Sequence, residues 1–271
     1  MSRIKARFEA LKAQSRGALI PYLQAFDPDL GTSLALLKGM PAAGADLIEI
    51  GVPFSDPSAD GPTIQQAALR GLKAGATLAG VLEMVRAFRE DDNETPIILM
   101  GYLNPIDSYG PARFCTDAAE AGVDGLIIVD LPKEESDLLA EDAKRCGLDI
   151  IQLVAPNTPD ARLPLLLDDA SGFIYYVSIT GITGTRTASA DELAAALPRL
   201  RAVSPLPVAI GFGIRTPEQA AQAASVGDAA VVASALIATL ATTLEDGKAT
   251  ATTVPKVLGQ LAEIAHAVRA R

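Results

Sequence analysis

The chain has 271 residues, 49% hydrophobic and 21% charged, which is enough for one large globular domain or two small ones. Its 23 basic and 33 acidic residues leave a net charge of −10, which argues against a nucleic-acid-binding surface. The single histidine, His266 near the C-terminus, excludes a Ser/His/Asp triad or a His-rich metal site in mid-chain, so acid–base chemistry falls to carboxylates, tyrosines or lysines. The opening segment MSRIKARFEALKAQSRG reads as an amphipathic helix without the apolar core of a signal peptide. No apolar run reaches the roughly 18 residues of a membrane span, and a cytoplasmic protein is expected. Eight nearly continuous apolar runs follow: ALIPYL (18–23), DLIEIG (46–51), PIILMGY (96–102), GLIIVD (125–130), DIIQLV (149–154), FIYYVS (173–178), PVAIGFG (207–213) and AAVVAS (229–234). Strands of that kind suit a parallel sheet buried on both faces. Helical patterns such as SLALLKGMPAAG, TLAGVLEMVRAFRE, EESDLLAEDAKRCG and TPEQAAQAASVG lie between them, and a last helix is expected over 254–270. Cys115 and Cys146 fall on such helices with no CxxC spacing and read as reduced thiols.

Eight βα units in one chain without a linker predict a single (β/α)8 barrel domain over residues 1–271 with an extra N-terminal helix, the competing arrangement being an open doubly wound sheet. In a barrel, function gathers at the C-terminal ends of the strands. The second run carries Glu49 amid apolar residues. Alternation puts Leu47 and Glu49 on one face and Ile48 and Ile50 on the other, but parity alone does not say which face is the interior. Glu49 is either a structural carboxylate with a hydrogen-bond partner or an acid–base group in an apolar cleft, where its pKa would be raised. The segment VPFSDPSADGPTIQ after it is loop: Asp60 is either the N-cap of the next helix or a second carboxylate over the same cleft, and Asp56 is a turn or capping residue. The Gly/Thr-rich segment after the sixth run, VSITGITGTRTAS, suggests a lid, and residues 53–60 and 178–190 are expected to be poorly ordered without ligand. GFGIRTPEQ and VVASALI, after the seventh and eighth runs, place small-residue turns before helices, a recurrent phosphate site, with Arg215 either assisting or solvated. Tyr22, Tyr102, Tyr175 and Phe212 lie at or near strand ends, either as core residues or as walls of an apolar pocket for a planar ligand.

These residues are joined by longer matches. IEIGVPFSDPSADGPTIQ resembles the signature of the tryptophan synthase alpha subunit family, and PYLQAFDPD, PIILMGYLNPI, AGVDGLIIVDLP, LVAPNTPDARL, SGFIYYVSITGITGTR and PVAIGFGIRTPEQ resemble the same family in the same order, over roughly residues 15 to 240. The resemblance implies a (β/α)8 barrel that cleaves indole-3-glycerol phosphate to indole and glyceraldehyde 3-phosphate. It implies no cofactor or metal in this chain, and an alpha2beta2 complex whose beta subunit holds pyridoxal phosphate. By motif it makes Glu49 the general acid–base and Asp60 the carboxylate that meets the indole N–H. It puts Gly184, Gly213, Ala233 and Ser234 around the phosphate, and Tyr22, Met100, Tyr102, Tyr175, Thr183 and Phe212 around the rest of the substrate. Two positions depart from the family pattern: Phe26 and Ala233 stand where glycine is common, which raises the question of loop packing or pocket access at the first and of a positive φ or a close backbone approach to phosphate at the second. A barrel that mainly activates the beta subunit, and a stand-alone indole-releasing lyase, are the alternatives to the complete enzyme. An isomerase acting on a ribose-linked phosphate is disfavoured by the SDPSADGPTIQ loop.

Overall fold

The computed structural model describes residues 2–177, 190–211 and 213–270, the side chains of 190 and 191 excepted. Nine strand segments are present among the described residues: β1 (Ala18–Gln24), β2 (Ile48–Gly51), β3 (Ile97–Gly101), β4 (Gly125–Ile128), β5 (Asp149–Ile150), β6 (Gln152–Val154), β7 (Ile174–Val177), β8 (Val208–Gly211) and β9 (Ala229–Val232). Every pairing is parallel, and the order is β5-β4-β3-β2-β1-β9-β8-β7-β6. The two terminal segments of that order are separated in sequence by Ile151 alone, and the Ile151 N–H donates to the Leu126 carbonyl at 3.0 Å. They are halves of the one strand expected over 149–154, so the sheet comes round on itself as an eight-stranded barrel and the open-sheet arrangement does not occur.

The strands read as unbroken apolar runs because both faces are covered. Ile20, Leu47, Ile98, Ile127, Ala209 and Val231 fill the barrel, while Leu19, Leu23, Ile48, Ile50, Leu99 and Ile210 pack outward against the helices. That division settles the parity question: Leu47 is interior, so Glu49, two residues on, is interior as well. Capping residues start the helices where the sequence turns polar. Asp29 accepts the Thr32 N–H at 2.8 Å, Thr77 accepts the Gly80 N–H at 3.0 Å, and Thr216 with Gln219 forms a capping box. The helix expected over EESDLLAEDAKRCG is split into a 3₁₀ turn, Lys133–Leu138, and a helix, Ala140–Cys146. Leu139 breaks it with φ −139° as its side chain enters the outer core. The last helix runs Thr253–Arg269.

At the N-terminal end of the strands, the helix Arg3–Ala13 closes the barrel with Ile4, Phe8 and Leu11, Phe8 lying 5.8 Å from Phe173 between ring centroids. It is pinned by charge. Asp124 accepts from Arg3 (2.9 Å), from Arg89 (2.8 Å) and from the backbone N–H of Ile97 (2.8 Å). The Asp124 and Arg89 side chains are only 5% and 9% exposed. Removing the carboxylate strands a buried guanidinium and a buried N–H. Asp124→Ala is therefore expected to cost about 3–5 kcal/mol of stability in urea unfolding, and a cost below about 1 kcal/mol would show that water replaces the carboxylate.

Candidate active site

Tyr22 on β1 stands directly opposite Glu49 on β2, and Glu49 stands opposite Ile98 on β3. One layer nearer the mouth, Gln24, Gly51 and Met100 are aligned in the same way. Glu49 is 1% exposed, and its Oε2 has no hydrogen-bond partner among the described residues. Burial, and after it the negative charge of Asp60, pushes the Glu49 carboxyl up to about 8. Asp60 is half-buried. Burial raises it to about 6 against the pull of a hydrogen bond from Tyr102. The two carboxyls thus divide near neutral pH: Glu49 keeps its proton and Asp60 is an anion. Separation of that kind leaves one group able to give a proton and the other able to face a positive charge.

Gly61, not Asp60, occupies the N-cap position of the helix Pro62–Lys73, with no side-chain capping bond. The Asp60 carboxylate instead accepts the Tyr102 hydroxyl at 3.0 Å, and that hydroxyl accepts the Ala59 N–H at 3.0 Å. Phe54 lies on the Tyr102 ring at 5.3 Å. The loop after β2 is therefore fastened to the end of β3 at both of its ends. Asp56 is exposed and accepts the Ser55 hydroxyl at 2.5 Å, in line with a turn residue.

A cavity of about 570 Å³, counting the space open to solvent at its mouth, gathers Tyr22, Glu49, Asp60, Met100 and Tyr175 with Gly213, Ala233 and Ser234. Seven of the eight come from β1, β2, β3 and β7 or from the turns after β2, β8 and β9; Ser234 opens the helix after β9. Gly213 has φ +79°, which a side chain would strain. Ala233 precedes the nine-residue helix Ser234–Thr242 with φ −115° and ψ −80°, so the position makes no demand for a positive φ. Tyr102 does not line this cavity; it backs Asp60 and borders a smaller apolar space with Val52, Leu99 and Phe114. Thr183, Gly184 and Phe212, with the expected lid over 178–190, lie outside the described residues except for residue 190, which opens the helix Ala190–Arg201. Phe26 adopts φ +62°, a left-handed conformation costing on the order of 1 kcal/mol for a non-glycine residue. Its ring is buried in the outer core beside Gly80, and its N–H donates to the Ser33 hydroxyl at 3.1 Å, so it packs the loop after β1 and stays out of the cavity.

Three lining residues escaped sequence reading: Ile64, Ile214 and Val231. Ile64 sits a turn into a helix whose neighbours Ala67 and Ala68 are also buried, a stripe that marks an inward face. Ile214 and Val231 carry no signal beyond their strand-end position. Among the described residues, no group of three or more His, Cys, Asp or Glu side chains is placed to hold a metal ion.

A family model described as tryptophan synthase alpha chain matches residues 8–266. The chain is 73% identical over 270 residues to the tryptophan synthase alpha chain of Gluconobacter oxydans (strain 621H), covering 100% of both. It is 55% identical over 267 residues to that of Caulobacter vibrioides (strain NA1000 / CB15N), covering 98% of this chain and 96% of the relative. Among solved structures, the tryptophan synthase subunit alpha of Legionella pneumophila str. Paris superposes with a TM-score of 0.91 at 40% identity, covering 100% of both chains. A chain of tryptophan synthase from M. tuberculosis in its open form does so at 0.87 and 34%, covering 99% of each.

The raised carboxyls have a consequence for stability. In the unfolded chain Glu49 loses its proton near 4.5, whereas in the folded chain it holds it up to about 8. The stability that this proton confers is complete below about 4.5 and is lost as pH rises towards 8. Asp60 acts in the same direction between 3.8 and about 6. Urea unfolding at pH 5, 7 and 9 should show the unsubstituted chain weakening across this range and Glu49→Gln weakening less. Identical pH profiles would mean that Glu49 is already ionised at neutral pH.

Proposed function

The chain belongs to the tryptophan synthase alpha chain family and is a lyase of tryptophan biosynthesis that cleaves indole-3-glycerol phosphate to indole and glyceraldehyde 3-phosphate; we propose that Glu49 and Asp60 carry the cleavage and that the single barrel domain, residues 1–271, passes indole to a beta subunit. The observation that supports this most is the pair of carboxyls on one cavity wall with separated protonation states, Glu49 at about 8 and Asp60 at about 6.

The retro-aldol step follows from that pair. The neutral Glu49 carboxyl delivers its proton to C3 of the indole ring, and positive charge develops on the ring nitrogen, where the Asp60 carboxylate stabilises it. The Glu49 carboxylate so formed takes the proton of the hydroxyl on the side-chain carbon bound to C3. The C3–carbon bond breaks, its electron pair returns to the ring as indole, and the side chain leaves as the aldehyde of glyceraldehyde 3-phosphate. Glu49 ends as it began, protonated. An apolar wall of Tyr22, Met100 and Tyr175 suits a planar ring. Burial of Glu49 is what keeps its proton available at neutral pH.

The phosphate is assigned to the turn at Gly213 and to the N-terminus of the helix Ser234–Thr242, where the helix dipole favours an anion. Thr183, Gly184 and Phe212 are assigned to the same substrate by family likeness. Tyr102 is assigned indirectly, through its hold on Asp60. No step calls for a cofactor or metal in this chain, and pyridoxal phosphate is assigned to the beta subunit of an alpha2beta2 complex in the cytoplasm. No helix among the described residues is long and apolar enough to cross a membrane.

Indole release from indole-3-glycerol phosphate, measured with and without the cognate beta subunit, tests the assignment. Turnover that rises sharply with the partner is expected. Equal turnover without it would indicate a stand-alone lyase, and none in either case a barrel that only docks. Glu49→Gln should lower kcat by at least about 10³-fold, and Asp60→Asn by about 10²–10³-fold as for loss of a transition-state charge partner. Both should leave far-UV circular dichroism unchanged. A fully active Glu49→Gln enzyme would overturn the proposed role.

A further inference from the structure

Gln24 is the one amide side chain among the described residues that is fully buried at the barrel mouth, 1% exposed, in the layer directly above Tyr22 and Glu49. Its contacts are specific. The Tyr22 hydroxyl donates to Gln24 Oε1 at 2.6 Å, and Gln24 Nε2 donates to the Gly51 carbonyl at 3.2 Å. That carbonyl also accepts the Ala25 N–H at 3.0 Å, in the ladder between β1 and β2. The ring of Tyr22 reaches Gln24 only because Gly51 lacks a side chain: a Cβ there would fall 1.8 Å from the Tyr22 hydroxyl oxygen and 2.4 Å from its ring carbon.

We propose that Gln24 is a positioning residue for substrate binding: with Gly51 it latches the Tyr22 ring back over β2, which keeps the slot beside Glu49 open for the indole ring. This deepens the reading of the site given above and rests on it. The geometry fixes the direction of the effect. Tyr22 shares its layer with Glu49 and lines the same cavity, so a ring released from Gln24 has the cavity to move into. The hydroxyl spends its donor on Gln24, so the wall shown to the substrate is ring rather than polar tip. Without the hydroxyl, Gln24 Oε1 is a buried acceptor with no partner, and the amide is driven to turn away from Gly51. Either change loosens the same wall and leaves the two carboxyls in place, which is a binding defect.

Tyr22→Phe, Gln24→Met and the double variant separate this from plain destabilisation. Each keeps the approximate volume of the residue it replaces. In the presence of the beta subunit, each single variant is expected to raise KM for indole-3-glycerol phosphate about tenfold, with kcat changed by less than about threefold, and to weaken calorimetric binding of free indole in step. The double variant should be no worse than the worse single one, because both break one latch. An unchanged KM in Tyr22→Phe, multiplicative effects in the double variant, or a fall in kcat at constant KM would overturn the latch. Absence of turnover in the unsubstituted enzyme would overturn the parent reading instead, and the free-indole affinities would then decide the latch by the same comparison of single and double variants.

Discussion

Taking the Glu49 carboxyl out of water holds its proton on up to about 8, and the surrounding structure is arranged to keep it dry and reachable at once. An interior strand position supplies the dryness: Glu49 has apolar residues below it in the barrel and a tyrosine and an isoleucine beside it. The strand end supplies the reach. Two residues further on, β2 stops at Gly51 and the Pro-rich loop begins, and the missing side chain of Gly51 leaves the layer between Glu49 and the mouth only partly filled. A carboxyl one layer deeper would be enclosed, with Leu47 and the other interior residues of the barrel around it.

The same layer shows how a small-residue rim makes room. Tyr22 on β1 leans over Gly51 on β2, and Tyr175 on β7 leans over Gly211 on β8. In both pairs the glycine lies two residues beyond the residue opposite the tyrosine, Glu49 in one case and Ala209 in the other. The two rings tilt towards neighbouring strands at separate places on the rim, and the centre of the barrel mouth is left to a ligand. Side chains at either glycine would push a ring inward and fill the space by default.

Much of this was written in the amino acids. The eight apolar runs announced eight parallel strands, and IEIGVPFSDPSADGPTIQ announced the two carboxyls and the loop between them. What stayed illegible is physical. Parity leaves the interior face undetermined until the neighbouring strands choose it, as Leu47 shows. The sequence DGP serves a capping aspartate as well as a catalytic one, and only the Tyr102 hydroxyl, 42 residues away, decides that the side chain turns from the helix. The role of Gln24 depends on a glycine 27 residues later, and no local pattern marks it. Of the two effects expected of Phe26, packing of the loop after β1 is the one the structure shows, and the ring stays out of the cavity.

The N-terminal helix closes the bottom of the barrel with partners that are made much later in the chain. Arg3 meets Asp124, 121 residues on, and Phe8 meets Phe173. On the ribosome, the apolar stripe of Ile4, Phe8 and Leu11 leaves the exit tunnel well before the segment holding Phe173 and finds its seat only after that segment has emerged. At 5–20 residues per second that interval is on the order of ten seconds. This helix is thus made long before its seat is complete and is among the last elements to dock.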